Sequence, residues 1–134
     1  MFVINWEFAI EQFPEVLKGV PVTLAIAVVA MLLGMFFGIL IALIRIYKVP
    51  VLNRLFISFI RGTPLIVQLY VFFYGFPVFI NFINTKFGTN FNASEISPLV
   101  YAFIAFTINT SAYQAEIFRS SINAIHVGQM EAAQ

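Results

Sequence analysis

The sequence predicts an all-α integral membrane protein, a single transmembrane domain over residues 1–134 with three membrane-spanning helices. Hydrophobic residues make up 61% of the chain and charged residues only 10%, and the mean hydropathy is +0.95. Soluble domains carry about a quarter charged residues and cannot bury so much apolar surface. The charges fall into four clusters, separated by uncharged stretches of 26, 24 and 20 residues at 19–44, 62–85 and 96–115. Since a helix needs ~20 mostly apolar residues to cross ~30 Å of hydrocarbon, each stretch is long enough to span a bilayer.

The composition also excludes several kinds of chemistry. The chain has no cysteine and a single histidine, His126, so a disulfide framework, thiolate catalysis and a Cys/His metal site are not expected. It contains no phosphate-binding loop and no nucleophile–base pair. The net charge of +1 without a basic run gives no indication of a nucleic-acid partner. We therefore predict no enzyme, no catalytic residue, no metal and no cofactor in this chain.

Residues 1–18 are interpreted as an amphipathic segment in the outer membrane interface. Trp6 and Phe13 are seven residues apart and share a helical face, and Trp6 is an interfacial anchor in this interpretation. A frayed tail is the alternative, because Pro14 interrupts the segment. A secretory signal begins with positive charge and has a short apolar region, whereas this segment is acidic and the following apolar run is long, so we expect no cleavage.

The first span is predicted over residues 20–44. It contains Gly34 and Gly38, a small-xxx-small pattern that allows a neighbouring helix to approach closely. Packing within the subunit is favoured over a dimer seam.

The connection that follows the first span sets the orientation. It holds four cations and no acid: Arg45, Lys48, Arg54 and Arg61. By the positive-inside rule this connection is cytoplasmic, and the N-terminus and the Asn81–Ser97 loop lie outside. The predicted location is the cell membrane, crossed several times, with the lipid bilayer as a partner.

A turn is predicted from Arg61 to Pro64, at the cytoplasmic interface. Thr63 is a potential N-cap and Pro64 suits the start of the next helix. Arg61 is interpreted as an interface anchor that extends its charge to the membrane surface, in preference to a direct role in coupling.

The second span is predicted over residues 65–83 and is rich in aromatic side chains. Gly75 and Pro77 are expected to weaken or kink its outer end. Gln68 is its only strongly polar side chain, and an amide in hydrocarbon needs a partner, so we expect it to face protein or a water-filled path.

The third span is predicted over residues 97–117, with Ser97 as N-cap and Pro98 in the first turn. Its second half carries two polar stripes on roughly opposite faces. One stripe is Thr107, Thr110, Ser111 and Gln114, and the other is Asn109, Tyr113, Glu116 and Ser120. A helix facing lipid would carry neither, so this helix is expected to be surrounded by protein or to line a cavity.

Four segments of the chain resemble a known family. These segments read LKGVPVTL at the first span, RGTPLIVQL at the second, and AYQAEIFRSSI and GQMEAA at the third and beyond it. They are similar to the membrane subunits of binding-protein-dependent ABC importers, in the branch that imports polar amino acids such as glutamine, cystine, histidine or arginine. The resemblance implies the N-terminal part of a type I, MetI-like permease fold, and ATP-driven uptake of a polar amino acid.

The resemblance also implies partners. Residues 118–134 correspond to the start of the cytoplasmic "EAA" loop, in which Gly128, Glu131, Ala132 and Ala133 are expected to contact a separate ATPase that binds the ATP. An external substrate-binding protein and a second permease subunit, identical or related, complete the family's assembly. Family members usually have five spans, and this sequence ends within the loop at Gln134, so we expect it to represent part of a subunit.

Substrate contacts are expected from the polar side chains of the second and third spans: Gln68, Asn109, Tyr113, Gln114 and Glu116. Tyr113 and Glu116 match the AYxAE signature of the family. Glu116 has two interpretations, a structural pair with Arg119 one turn away or a ligand for a cationic group of the transported amino acid.

Two other functions remain open at this point. A channel or ion-coupled carrier component is supported by the polar third span, although inverted repeats and buried charge pairs are not evident in the sequence. A membrane structural anchor accounts for the apolar spans but not for the cytoplasmic loop.

Overall fold

The structure, a computed structural model, describes residues 5–47 and 50–125, apart from the side chains of residues 50–53 and 94. The regular elements in these ranges are all helical, as predicted. They are α1 (Trp6–Leu17), α2 (Val20–Tyr47), α3 (Pro50–Gly62), α4 (Leu65–Tyr70), a π-helical turn (Val71–Gly75), α5 (Phe76–Phe87), a 3-10 turn (Ala93–Glu95) and α6 (Pro98–Asn123).

Helices α2 and α6 form the main packing interface through small side chains. On α2 the buried residues recur every fourth position, at Ala30, Gly34, Gly38 and Ala42. A Cβ added at Gly34 would lie 2.7 Å from Thr110 Cβ, and one at Gly38 would lie 2.7 Å from Gln114 Cβ. The two backbones therefore approach as closely as small residues permit. The prediction that Gly34 and Gly38 serve packing within the chain is confirmed.

The connection after the first span is itself a helix, α3, which the sequence analysis did not identify. It packs against α2 and α6 and buries Ile57 and Ile60, whose side chains are 3% and 8% exposed. With 13 residues it is too short to span a bilayer, so the search for uncharged stretches did not find it. The spacing of its apolar residues was the available signal.

The prediction of Thr63 as an N-cap is wrong. The N-cap of α4 is Pro64, which has no side-chain capping bond. The Thr63 hydroxyl instead donates a hydrogen bond of 2.7 Å to the carbonyl of Phe59. Thr63 follows the last turn of α3, where carbonyl groups lack helical partners, so its hydroxyl reaches back to one of them.

The second predicted span is an irregular helix. A continuous helical stretch runs from Leu65 to Phe87, four residues beyond the predicted end, and stops at Gly88, which adopts a left-handed conformation with φ of 68°. The π-helical turn at Val71–Gly75 directly precedes the turn that contains Pro77. Because Pro77 has no N–H to donate, the regular hydrogen-bond ladder cannot continue through it. The predicted weakening or kink of the outer end stays a prediction, since α5 continues as a helix to Phe87.

Within the described ranges, two helices are long and apolar enough to cross a membrane, Val20–Tyr47 and Leu65–Phe87. Helix α6 has 26 residues, about 39 Å at 1.5 Å per residue, and is long enough to cross. Its two polar stripes make it less apolar than the other two helices. Its predicted N-terminus is confirmed, because Ser97 Oγ accepts a hydrogen bond of 3.3 Å from the Leu99 N–H. Its role as a third span stays a prediction.

Helix α1 precedes the first span and is exposed along its whole length. Asn5 caps it by accepting a hydrogen bond of 3.1 Å from the Phe8 N–H. The helix continues through Pro14, so the alternative of a frayed tail is wrong for Trp6–Leu17. Trp6 and Phe13 are 70% and 60% exposed, so the other described residues do not cover the apolar side of the helix. Its position in the outer interface stays a prediction.

Candidate functional site

A polar pocket of about 410 Å³ lies where α2, α3 and α6 meet near their C-terminal ends. It is lined by Arg45, Ile57, Ser58, Arg61, Gly62, Tyr113 and Glu116. Arg45 comes from the last turn of α2 and Arg61 from the last turn of α3. Tyr113 and Glu116 are about one turn apart on α6, so their side chains share one face of that helix.

The Glu116 carboxylate is held by two arginines. Its Oε2 accepts a hydrogen bond from Arg45 Nη1. Its Oε1 accepts from Arg119, whose Nε lies 3.0 Å away and whose Nη2 also donates. The side chains are partly buried, with 13%, 25% and 29% of Arg45, Glu116 and Arg119 exposed. The structural pair of Glu116 with Arg119 is confirmed.

Arg45 is the partner that sequence reasoning missed. It is 71 residues away from Glu116 in the chain, so no local spacing connects the two. A signal was nevertheless present. Each is the first charged residue after an uncharged stretch, and the predicted topology places both stretch ends on the same side of the membrane.

Arg61 joins the pocket through Tyr113. Its guanidinium carbon lies 5.1 Å from the centroid of the Tyr113 ring, a cation–π contact. Such contacts stabilise by about 0.5–1 kcal/mol where they are exposed to solvent. Arg61 therefore touches Tyr113, a residue predicted to contact the substrate. The interpretation of Arg61 as an interface anchor did not include this contact.

The charges of this cluster do not balance. Two guanidinium groups, those of Arg45 and Arg119, donate to the carboxylate of Glu116, and a third, that of Arg61, lies over Tyr113 in the same pocket. A cationic ligand would have to compete with two arginines for that carboxylate. An anionic group, such as the carboxylate of an amino acid, would find an excess of planar donors suited to it.

Gln68 and Asn109 form a separate buried network. Gln68 is 5% exposed, and its Nε2 donates to the carbonyls of Ile60 at 2.8 Å and Thr63 at 3.0 Å. Its Oε1 accepts a hydrogen bond of 3.3 Å from Asn109 Nδ2. The prediction that Gln68 faces protein or a water-filled path is confirmed, since its partners are protein groups.

The two polar stripes of α6 face different neighbours. Gln114 lies on the α2 side, where its Cβ packs over the Gly38 position, and it is not among the residues that line the polar pocket. Ser120 is exposed, and its hydroxyl donates to the Ile117 carbonyl at 2.9 Å. The structure thus brings Tyr113 and Glu116 together at the pocket, joins Asn109 to Gln68, and places Gln114 at the helix seam.

A second cavity of about 450 Å³ is lined almost wholly by apolar side chains, among them Leu33, Phe37 and Phe103. Thr107 also lines it, and in the described part of the chain its buried hydroxyl has no hydrogen-bond partner. The described residues that line this cavity include no charged group that could bind a zwitterion. Among the described residues, no three His, Cys, Asp or Glu side chains come together as metal ligands would.

The predicted ATPase contacts lie outside the described residues. These are Gly128, Glu131, Ala132 and Ala133. Helix α6 continues to Asn123, so the first residues of the predicted loop segment, 118–134, extend the third helix. The third span was predicted to end at residue 117 because the apolar residues end there. The helix itself continues beyond that point, because its backbone hydrogen bonds do not depend on apolar side chains.

Comparison with known proteins gives a consistent result. No protein-family model matches the chain. It is 38% identical to the probable amino-acid permease protein YxeN of Bacillus subtilis, over 98% of this chain and 56% of the relative. It is 37% identical to the L-cystine transport system permease protein TcyL of Bacillus subtilis, over 90% of this chain and 49% of the relative. It is 35% identical to the putative glutamine transport system permease protein GlnP of Rickettsia prowazekii, over 95% of this chain and 56% of the relative.

A solved structure, described as that of an amino acid ABC transporter with histidines, matches with a TM-score of 0.70 and 31% identity. The match covers 98% of this chain and 57% of that one. The described residues form helices, two of them long and apolar enough to cross a membrane, and the similar proteins are permease proteins of transport systems. More particularly, the chain is a homologue of the permease proteins of amino-acid ABC transporters, and the resemblance noted in the sequence is confirmed. The chain spans about half the length of the curated relatives it matches.

Proposed function

We propose that this chain forms part of a permease that passes a polar amino acid across the cell membrane in an ATP-driven importer. The observation that carries the proposal is the similarity to amino-acid permeases over 98% of the chain. The polar pocket gives the proposal a chemical basis, because it offers arginine, tyrosine and glutamate side chains at the ends of three packed helices.

In this proposal the pocket contacts the main-chain groups of the amino acid. Arg61 is the group suited to its carboxylate, since guanidinium forms paired hydrogen bonds with carboxylates, whereas the guanidinium of Arg45 donates to Glu116. Tyr113 and Glu116 shape the pocket from α6, and Asn109 lies one turn before Tyr113 on the same face. Gln68 and Gln114 contribute from outside the pocket, Gln68 by holding Asn109 and Gln114 by packing on α2.

The partners and the orientation belong to the same proposal. A separate ATPase binds and hydrolyses ATP and contacts Gly128, Glu131, Ala132 and Ala133, so this subunit is not itself an enzyme and needs no cofactor. An external binding protein delivers the substrate, and a second permease subunit completes the translocation path. The chain crosses the membrane more than once, with its N-terminus outside.

The test is uptake by the complex that forms around this chain in its own membrane. The complex is purified by an affinity tag and reconstituted in liposomes with the binding protein outside. Labelled glutamine, cystine, histidine and arginine are then offered, with trapped ATP or a non-hydrolysable analogue. We expect uptake of at least one of them only with hydrolysable ATP. Uptake driven by an ion gradient without ATP would reject the proposal and favour an ion-coupled carrier.

The contribution of the pocket is tested in the same assay with Glu116→Gln. This variant removes the negative charge that the two arginines bind. We expect the rate of uptake to fall about tenfold or more, which corresponds to an increase of ~1.4 kcal/mol in activation free energy. The matched control is Glu11→Gln, because Glu11 lies on the exposed helix α1. Equal loss of uptake in both variants, or no loss in either, would contradict a role for the pocket.

A further inference from the structure

We propose that Arg45 is a positioning residue that couples the end of α2 to the end of α6 through Glu116. In this role it transmits movement at the C-terminal end of α6 to the first span, and it does not bind the substrate through its own guanidinium. The inference rests on the proposed function and names a residue that connects ATP use to transport.

The α2–α6 interface allows small movements of one helix along the other. The buried residues of α2 are all small, namely Ala30, Gly34, Gly38 and Ala42. On α6, the residues that meet the two glycines are Thr110, Ser111, Gln114 and Ala115. Small side chains allow close approach but interlock little, so packed helices of this kind can shift along each other by small amounts. A directional contact at one end is therefore the feature that makes a shift of one helix move the other.

Arg45 and Glu116 supply such a contact. Arg45 lies in the last turn of α2, one turn after the buried Ala42. Its guanidinium donates to Glu116, and its side chain is only 13% exposed. Charge-assisted hydrogen bonds are stronger and more directional than apolar contacts. Partial burial increases the cost of leaving either charge without its partner.

Arg119 connects this pair to the C-terminal end of α6. Arg119 donates to the other oxygen of Glu116 and lies four residues before Asn123, the last residue of α6. The residues after α6 contain the predicted ATPase contacts. A movement imposed there would reach Arg119 and Glu116 along the helix and would reach α2 through Arg45.

The two arginines also make the roles of Arg45 and Glu116 separable. In Arg45→Gln, Glu116 keeps its partner Arg119, so its charge remains compensated and its place on α6 is kept. What is lost is the hydrogen bond that connects Glu116 to α2. A positioning role therefore predicts normal substrate affinity with poor coupling of ATP hydrolysis to transport. Direct substrate contact predicts weakened substrate affinity with normal coupling.

The experiment uses the complete reconstituted complex with the amino acid that the uptake test identifies. Three quantities are measured: the KM of uptake, the ATPase rate without binding protein, and the number of amino acids transported per ATP hydrolysed. For Arg45→Gln we expect a KM within about twofold of wild type, an unchanged basal ATPase rate, and at least a fivefold lower transport ratio. Arg45→Lys, which keeps the cation, should recover part of the ratio. Arg54→Gln is the control, because Arg54 is an exposed arginine of α3.

An unchanged transport ratio in Arg45→Gln would overturn the inference, and so would a raised KM with an unchanged ratio. If Arg45→Gln does not assemble, Arg45→Lys decides: a lowered ratio with normal KM supports the role, and a wild-type ratio overturns it. Absence of ATP-driven uptake in the wild-type complex would reject the proposed function itself. ATP-driven uptake in wild type with unaffected variants would reject only the role of Arg45.

Discussion

Gln68 satisfies three polar groups at a buried position. It donates to two carbonyls at the end of α3, those of Ile60 and Thr63, and accepts from Asn109 on α6. Gln68 itself lies on α4, so one side chain connects three helices. A buried polar group without a partner costs about 1–3 kcal/mol. The amide is therefore expected to stabilise the packing of these helices, in addition to any contribution to substrate binding.

At the scale of the residue we predict that Gln68→Met destabilises the protein. Methionine is similar in length but cannot donate or accept the three hydrogen bonds, so the free energy of unfolding should fall by about 1–3 kcal/mol. The measurement is denaturant unfolding in detergent, followed by helical circular dichroism. Gln12→Met is the matched control, because Gln12 lies exposed on α1. Equal stability of the two variants would show that the Gln68 network contributes little.

Between elements, the contact of α2 with α6 depends on the absence of a side chain at two glycines. At Gly38, an added Cβ would also come within 3.1 Å of the Ala115 backbone nitrogen and 3.2 Å of the Ser111 carbonyl oxygen. Backbone atoms and a Cβ cannot move aside as a long side chain can. Relief of the clash would therefore need the two helices to separate.

The corresponding prediction is that Gly38→Ala is destabilising although alanine favours helices. Overpacking in a tight interface costs typically ~1–3 kcal/mol, more than the ~0.5–1 kcal/mol gained from replacing glycine within a helix. Gly75→Ala is the control with the same gain, because among the described residues a Cβ there would meet Val71 Cγ1 alone, at 3.9 Å, an ordinary contact. Thermal unfolding in detergent should give a lower midpoint for Gly38→Ala than for Gly75→Ala. The reverse order would contradict the observed packing.

The elements differ in how far the sequence predicted them, for physical reasons. Helices α2 and α6 were predicted, because a long apolar run and a Ser-Pro start are local signals. The role of Gly34 and Gly38 was also predicted, since close helix approach needs small residues. Helix α3 was missed because a short amphipathic helix leaves no uncharged stretch. The pair of Arg45 with Glu116 depends on tertiary contact between distant positions, which no local pattern records.

For the molecule as a whole, the structure gathers positive charge at one end of the helix bundle. Arg45, Arg61 and Arg119 come from three different helices; Arg45 and Arg119 bind Glu116, and Arg61 lies over Tyr113. Between α5 and α6 the positive charge of Lys86, in the last turn of α5, is balanced by the negative charge of Glu95 in the following loop. Positive side chains near membrane-spanning helices favour the cytoplasmic side. The cluster therefore supports the proposed orientation, in which this end of the bundle faces the ATPase.

The orientation is tested by labelling single cysteines, which the natural absence of cysteine in this chain makes possible. Tyr47 is 74% exposed at the end of α2, and Asn90 is exposed in the loop after α5. A membrane-impermeant thiol reagent applied to intact cells should label Asn90→Cys but not Tyr47→Cys, because only the loop after α5 faces outward in the proposed orientation. Permeabilised cells serve as the control, in which both positions should be labelled. Labelling of Tyr47→Cys alone in intact cells would show that the topology is the opposite of the one proposed. The cationic cluster would then lie outside, where no ATPase could contact the end of α6.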